Sequence, residues 1–504
     1  MKSSNQPTLF DIDIMCDMTK WKVFDFSADN YCPTGNRVKL EDKYFPLVEV
    51  TDKFSRKTVS YQASKKDSVS RWLKYKEGFS CDLVETLLSE MDIKANDTIL
   101  DPFLGSGTTA FSCNVKNINC IGYDILPMSK IAVNAKSYVL SYNLKELKSF
   151  RQFLKELKRP ESYTEEIPEI RITESAYPKC TSQDLSFFKN AILNSNFSSN
   201  IKNLGILALT NSLERLSYTA KDGQYLRWDV RSEKTIKANL ERKEKGKEPL
   251  KVKLDKGTLP SVSELVISEI DIYISDIDML QKSFTEKSGK TVFVQDSALK
   301  QLPLLSANSI NGVITSPPYC NRYDYTRIYA LELVFLGKTE SEINSLRQDL
   351  LSCTVESKSK RDYLKDYYES INRIDDFNKV INIVDGNLVL SEIKYALDQR
   401  MKKGDVNNKG VLRMVTGYFD ELAFIYFELY RVCKKGAQVA FVNDNVRYAG
   451  EVIPVDFISS DLAAAFGFTV KKIYTLHQQK GNSSQQMKKF GRVPLRKSIT
   501  IWEK

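Results

Sequence analysis

Two short motifs in this chain combine residue types that can do chemistry. The first is the glycine-rich loop Phe103-Leu104-Gly105-Ser106-Gly107, which follows a short apolar segment at 98–100. Glycines at the carboxyl end of a strand let the backbone approach a ligand closely, and this is where α/β folds bind cofactors. The loop lacks the following Lys of a Walker phosphate loop and the third Gly of a dinucleotide fingerprint.

Carboxylates accompany this loop. Asp124 ends the next apolar segment, where it can accept hydrogen bonds from both hydroxyls of a ribose. Asp296 ends a third such segment and can accept from an adenine amino group. Recognition of a nucleoside without a phosphate site points to S-adenosylmethionine rather than to NAD or ATP.

The second motif is Ser316-Pro317-Pro318-Tyr319, which follows a fourth apolar segment at 312–315. Two prolines fix φ at successive residues and remove two N–H groups, so the turn presents its carbonyls rigidly as acceptors. A Ser oxygen and an aromatic face lie beside them. The combination suits holding an exocyclic amino group by its two hydrogens, although an ordinary proline-rich turn would have the same composition.

Together the two motifs, Asp-Pro-Phe-x-Gly-Ser-Gly-Thr and Thr-Ser-Pro-Pro-Tyr, resemble the amino-methyltransferases of DNA, which methylate N4 of cytosine or N6 of adenine. The resemblance covers residues 66–140 and 290–335 well, and 410–504 more loosely. It implies that the target base is held by Ser316, Pro317, Pro318 and Tyr319. It also implies a cofactor site for S-adenosylmethionine built from Asp101, Phe103, Gly105, Ser106, Gly107, Thr108, Asp124 and Asp296. The Ser at the first position of the tetrapeptide favours N4 of cytosine over N6 of adenine.

Three further segments have an expected role. Residues 74–80 resemble the family segment that closes over the methionine moiety, with Tyr75 and Phe79 as contacts, although a helix start with a surface loop fits equally. The polar loop 481–486 is a candidate for contacts with the extruded base or its phosphates. Arginines and tyrosines follow the tetrapeptide closely, at Arg322, Tyr323, Tyr325 and Arg327. That interleaving suits nucleic acid, although a helix packing its tyrosines would look the same.

The order of elements predicts the architecture that must position these motifs. Strand, glycine loop, helix, strand, acid and helix follow one another from residue 98, as at the start of a parallel α/β sheet. We therefore expect a Rossmann-like seven-stranded methyltransferase sheet with mostly helical insertions, and an amphipathic helix over residues 418–432. The hypothesis requires the two motifs to meet in one cleft.

The predicted domains follow the same pattern. Residues 1–65 form an N-terminal extension, and 66–140, 290–337 and 411–504 form the catalytic core. Residues 141–289 form an insertion that we take as the candidate target-recognition domain, mainly for its size and its basic run at 233–256. That run fits a solvated loop as well as a phosphate-facing surface. Residues 338–410 form a second helical insertion.

Composition narrows the class of protein. The chain has 504 residues, a formal charge of +10, nine Cys and one His, His477. A single His excludes a multi-His zinc site, and no metal is expected. Scattered cysteines indicate free thiols in a reducing cytosol, so a cytoplasmic protein is expected. No secretory signal or run of about 18 apolar residues is present, which argues against a membrane partner.

These observations predict a site-specific methyltransferase that flips a base out of double-stranded DNA, in a restriction-modification or defence system with a possible cognate endonuclease. An N6-adenine enzyme is the first alternative. RNA and protein-glutamine methyltransferases can use the same Pro-Pro-Tyr arrangement and are further alternatives. A catalytically silent nucleic-acid-binding subunit is an alternative from a different class of protein. A C5-cytosine enzyme would need a Cys directly after the proline, and Tyr319 separates Cys320 from it.

Overall fold

The computed structural model describes residues 31–55, 57–65, 67–222, 226–284, 288–406, 408–476, 490 and 495–504. The loop at 481–486 and His477 lie outside these residues. The strands, in chain order, are β1 Val48–Val50, β2 Thr98–Asp101, β3 Asn119–Tyr123, β4 Thr219–Lys221, β5 Leu226–Trp228, β6 Thr291–Val294, β7 Ile310–Thr315, β8 Cys433–Asp444, β9 Val446–Tyr448, β10 Glu451–Ile453, β11 Thr469–Thr475 and β12 Lys497–Glu503.

Helices connect and cover the strands. In chain order they are α1 Asn36–Tyr44, α2 Tyr61–Ser64, α3 Cys81–Glu90, α4 Thr108–Asn114, α5 Pro127–Ser137, α6 Leu144–Glu156, α7 Lys179–Asn194, α8 Ser199–Leu216, α9 Glu233–Glu244, α10 Val262–Ser283, α11 Ala298–Gln301, α12 Tyr325–Ile328, α13 Ala330–Phe335, α14 Glu340–Asp349, α15 Arg361–Ser370, α16 Ile374–Asp385, α17 Leu388–Lys402, α18 Gly410–Val432 and α19 Val455–Phe466. No helix in the described part of the chain is long and apolar enough to span a membrane.

The chain divides into two compact units. The first contains the described residues of Met1–Arg56, Leu302–Arg322 and Leu351–Lys504. Five of its strands lie side by side in the order β1-β11-β12-β8-β7, and β9 and β10 form a separate two-stranded sheet. β7 runs parallel to β8 and β1 parallel to β11, whereas β12 is antiparallel to both of its neighbours.

The second unit contains Lys57–Gln301 and Tyr323–Leu350. Its three sheet strands lie in the order β2-β3-β6, and all are parallel. Helix α8 packs against α5, which follows β3, and α10 packs against both α8 and α6. The helices of the large insertion therefore pack onto the unit that carries the glycine loop.

The strands follow the sequence prediction closely. All seven predicted strands form, and they give a mostly parallel, Rossmann-like α/β architecture. Strand β1 is not among the seven predicted strands. It comes from the predicted N-terminal extension and pairs with β11 through Val48, Glu49 and Val50. Helix α1 precedes β1 in the same N-terminal segment, and its Glu41 forms a buried ion pair with Arg496 at 2.6 Å.

Helix α18 differs from its prediction as an amphipathic helix. It is longer, and nearly every residue from Gly417 to Leu429 is buried. Its acidic residues do not form a solvent face, because each is paired with a cation from another segment. Glu421 lies 2.8 Å from Lys360, Asp420 lies 2.8 Å from Arg361, and Glu428 also has a cationic partner.

Candidate active site

The glycine loop turns sharply between β2 and α4. Gly105 and Gly107 have φ values of +54° and +85°, a left-handed region that strains residues with a side chain. Space is short as well, since a Cβ on Gly107 would lie 2.9 Å from Val133 Cγ2. These two glycines are therefore required by the backbone path of the loop.

Asp101 holds the base of this loop. Its Oδ1 accepts from the Phe103 N–H at 3.0 Å, and its Oδ2 accepts from the Thr109 hydroxyl at 2.6 Å. The Asp101 side chain is buried, as are Ser106 and Thr108. Both ends of the turn are thus fixed to one carboxylate, which sets the direction in which the loop backbone faces.

The other two acids lie at the same edge of the sheet, because β2, β3 and β6 are parallel. Asp124 accepts from the Gly105 N–H at 3.0 Å and from the Leu126 N–H at 2.8 Å. Burial raises the pKa of Asp124 to about 6 against the lowering effect of these bonds. Asp296 accepts from the Ser297 N–H and the Gln301 amide, each at 2.8 Å, and its side chain is one-third exposed.

The segment at 74–80 covers the glycine loop. Tyr75 is buried with its ring against Gly105, where a Cβ would lie 3.0 Å from the Tyr75 Cε1. Phe79 is also buried. The segment ends at Ser80, whose hydroxyl accepts from the Leu83 N–H at the start of α3. The segment therefore contacts the glycine loop and leads into a helix, while closure over the methionine moiety stays a prediction.

The tetrapeptide lies at the carboxyl end of β7 in the first unit. The Ser316 hydroxyl donates to the Tyr319 hydroxyl oxygen at 3.1 Å. Lys497, at the start of β12, donates to the same oxygen at 3.3 Å, and its Nζ lies 4.9 Å from the Tyr319 ring centroid. Pro317 is buried, while Ser316 and Tyr319 are half-buried. The Ser316 proton is thus engaged, and its oxygen lone pairs remain as acceptors.

The residues after the tetrapeptide have structural partners. Cys320 is fully buried and burial raises the pKa of its thiol, which argues against the C5-cytosine alternative because that chemistry needs a thiolate. The Arg322 guanidinium lies 5.7 Å from the Tyr448 ring centroid. Tyr325 is buried in the short helix α12, as expected for a helix that packs its tyrosine.

Sequence reasoning missed two groups beside these motifs. In the first unit, Lys497 reaches Tyr319 and lies 3.7 Å from Asp444, the residue opposite it across the β8–β12 pair. In the second unit, Tyr329 stacks on Tyr75. The sequence carries no local signal for either contact, because the partners are 178 and 254 residues apart. The predicted meeting of the glycine loop and the tetrapeptide in one cleft stays a prediction.

Comparison with known proteins agrees with these motifs. The family model of N6/N4 DNA methylases matches residues 18–133. The chain is similar to the type II methyltransferase M.BsoBI of Geobacillus stearothermophilus, with 51% identity over 499 residues, covering 99% of this chain and 98% of that protein. It is also similar to the type II methyltransferase M.AvaI of Nostoc sp., with 37% identity over 502 residues and 98% of both chains covered.

Proposed function

Because this chain belongs to the N4/N6 amino-methyltransferase family of type II DNA methyltransferases, which use S-adenosylmethionine, we propose that it methylates N4 of cytosine in duplex DNA. Identity of 51% over nearly the whole length supports an intact enzyme of this kind. The observation that carries the assignment of the catalytic residues is the Ser316–Tyr319 hydrogen bond, since it leaves the serine oxygen as an acceptor.

The residues around the glycine loop fit S-adenosylmethionine. These residues offer carboxylate oxygens as hydrogen-bond acceptors for hydroxyl and amino groups, with Asp124 for the ribose and Asp296 for the adenine. The loop at Gly105 and Gly107, with Phe103, Ser106 and Thr108, would hold the methionine end under Tyr75 and Phe79. When bound, the cofactor supplies a methyl group on a positively charged sulfur, which leaves as a neutral thioether.

The tetrapeptide would activate the acceptor nitrogen. The exocyclic amine of a base is a poor nucleophile because its lone pair is delocalised into the ring. Acceptance of its two N–H bonds by Ser316 Oγ and the Pro317 carbonyl would localise that lone pair and direct it at the methyl group. The nitrogen that gains the methyl group would release one of its two protons to solvent, which balances the transfer. Alignment of two bound reactants can supply about 7–11 kcal/mol at best.

The target atom is out of reach inside a duplex, so the base would be flipped out and stacked on Tyr319. Extrusion costs on the order of a few kcal/mol, which phosphate contacts would offset. The half-buried Tyr319 ring, fixed by Lys497 and Ser316, is held ready for such stacking. We assign reading of the DNA sequence to the insertion at 141–289, assisted by the second insertion at 338–410.

Transfer of a labelled methyl group to duplex DNA, followed by digestion and mass spectrometry of the nucleosides, tests the function. We expect N4-methylcytosine. N6-methyladenine would overturn the choice of base but keep the enzyme class, and binding without transfer would favour the silent subunit. Sequencing that maps the modified bases would also identify the site.

We further propose a restriction-modification role, because the chain resembles type II methyltransferases over its full length. In such a system methylation protects the host DNA from a cognate endonuclease. DNA from cells that express the protein should then resist an endonuclease that cleaves at the mapped site. Full cleavage of completely methylated DNA would contradict this role.

A further inference from the structure

A basic groove of about 360 Å³ opens in the second unit. It is formed by residues 170–172, the start of α9, α12 and α14, so both predicted insertions contribute to it. Its lining includes four cationic side chains and one carboxylate, which are Arg171, Lys234, Arg327, Arg347 and Glu340. This set is called the basic groove below.

Two of the arginines are ordered by one buried acid. Arg347 Nε lies 2.9 Å from Asp324 Oδ2, and Arg327 Nε lies 3.2 Å from the same oxygen. Asp324 is itself fixed, because its Oδ1 accepts from the Thr326 N–H at 3.0 Å at the start of α12. Two guanidinium groups share one carboxylate, so this triad keeps a net positive charge.

The opposite wall holds its cations in place as well. Lys234 Nζ donates to the Arg171 carbonyl at 3.1 Å and lies 4.6 Å from the Trp228 ring centroid. The Arg171 side chain is exposed. Glu174 is the nearest acid that acts on Lys234, and it lies outside the groove lining. The groove thus remains positive after Glu340 and Asp324 are counted.

The rest of the charged run in α9 is different. Lys237 and Lys245 are exposed and each pairs with a Glu one turn earlier, Glu233 at 3.8 Å and Glu241 at 4.0 Å. These pairs lie on a solvated helix face and contribute little. Two lysines of the charged run are therefore paired on the helix surface, whereas Lys234 belongs to the basic groove.

We propose that the basic groove binds the phosphate backbone of the DNA duplex, an inference that rests on the proposed function. Guanidinium groups held in a fixed orientation match phosphate oxygens in pairs. The groove also includes Arg327, which follows Tyr319 of the tetrapeptide by eight residues in the sequence.

The test measures binding of the full-length protein to a fluorescent 30-base-pair DNA duplex of arbitrary sequence, by anisotropy over a range of KCl concentrations. The slope of log K against log salt changes by about 0.9 for each phosphate contact. We expect Arg171→Gln to make the slope shallower by about 0.9, and Arg171→Gln with Lys234→Gln by about 1.8. Calorimetry with S-adenosylmethionine should give an unchanged cofactor affinity, which shows that the variants are folded.

The matched control removes the same charge from the same insertion. Lys237→Gln with Lys245→Gln should leave the slope unchanged. Equal effects of the groove and control pairs, or a slope that the groove variants do not change, would overturn the proposal. A 30-base-pair RNA duplex that binds more tightly than DNA and loses the same slope would make the groove an RNA surface and would also overturn it.

A further arm replaces chloride by inorganic phosphate at equal ionic strength. Displacement of DNA at much lower phosphate than chloride would identify a small-anion site and contradict a backbone surface. Failure of the proposed function is separate from these outcomes. If the proposed function is wrong, the unaltered protein should bind the duplex but transfer no methyl group. The salt slopes of the variants would then still show whether the groove binds DNA.

Discussion

Tyr75 and Tyr329 stack almost in parallel, with ring centroids 5.3 Å apart and an angle of 6° between the planes. The Tyr329 hydroxyl donates to Glu77 Oε2 at 2.5 Å and accepts from the Lys76 N–H at 3.2 Å. Lys221 Nζ lies 4.4 Å from the Tyr329 ring centroid. Tyr329 therefore fixes both the ring of Tyr75 and the backbone beside it, over the glycine loop.

This relationship predicts separate effects for two substitutions of Tyr329. Tyr329→Phe keeps the stacked ring but removes the donor to Glu77, so the free energy of unfolding should fall by about 1–2 kcal/mol. Tyr329→Leu also removes the stacking, worth about 0.5–1.5 kcal/mol, so Kd for S-adenosylmethionine should rise roughly two- to tenfold. Urea denaturation and calorimetry measure the two quantities. Equal cofactor affinity of the Leu and Phe variants would contradict a positioning role.

The raised pKa of Asp124 predicts pH-dependent cofactor binding. Burial raises this pKa to about 6 from its usual value of 3.8, so the carboxylate that we propose as acceptor for the ribose hydroxyls would become protonated below pH 6. Kd should rise about tenfold per pH unit well below that value. Asp124→Asn should bind S-adenosylmethionine more weakly, with little pH dependence between 5 and 7. Equilibrium dialysis measures both.

The pH dependence of unfolding is a control for this effect. Acidification should weaken cofactor binding, but it should increase the contribution of Asp124 to stability. A carboxyl whose pKa is higher in the folded than in the unfolded state binds more protons when folded between pH 3.8 and about 6. Asp124 therefore contributes stability that increases as the pH falls through this window. Cofactor affinity that falls together with stability would indicate general acid unfolding and not the titration of Asp124.

Ser316→Ala should separate catalysis from cofactor binding. Loss of one preorganised polar contact to the reacting group lowers kcat by about 10²–10³, while Kd for S-adenosylmethionine stays unchanged. Ser309→Ala is a matched control, because Ser309 precedes β7 at its other end and its hydroxyl donates to the Ser306 carbonyl. Equal loss of cofactor affinity and kcat in Ser316→Ala would contradict the assigned role.

Lys136 in α5 is a buried cation whose Nζ has no hydrogen-bond partner among the described residues. Burial lowers its pKa to about 8 from 10.5. The unfolded chain binds more protons between these values, so stability should rise with pH from 8 to 10.5, by at most about 3 kcal/mol. Lys136→Met should stabilise the protein at pH 7 and remove this rise.

The exposed Lys130 on the same helix provides the control for that experiment. Lys130→Met should change the free energy of unfolding by less than about 0.5 kcal/mol, as is usual for surface substitutions. Urea denaturation at pH 7 and pH 9 measures both variants. A Lys136→Met protein less stable than the parent at pH 7 would show that the ammonium has a stabilising partner.

Local sequence patterns were sufficient for the strands and the two motifs. The seven predicted strands form, and the glycine loop and tetrapeptide each follow a strand, because apolar runs and glycine or proline turns are encoded by adjacent residues. For α18 the predicted helix forms, but local sequence did not show that its acids at 420, 421 and 428 are buried and paired. The residues around a carboxylate in the sequence do not show whether it is paired or exposed, because its cationic partner lies far away in the chain.

The sequence by itself therefore determined the α/β order, the two motifs and the family resemblance, all of which depend on residues close together in the chain. Only the tertiary structure decided which side chains accompany them. Lys497 reaches Tyr319 and Tyr329 stacks on Tyr75 across long separations, and the basic groove collects cations from four segments. Such contacts depend on how helices and strands pack, which no local pattern of residue types specifies.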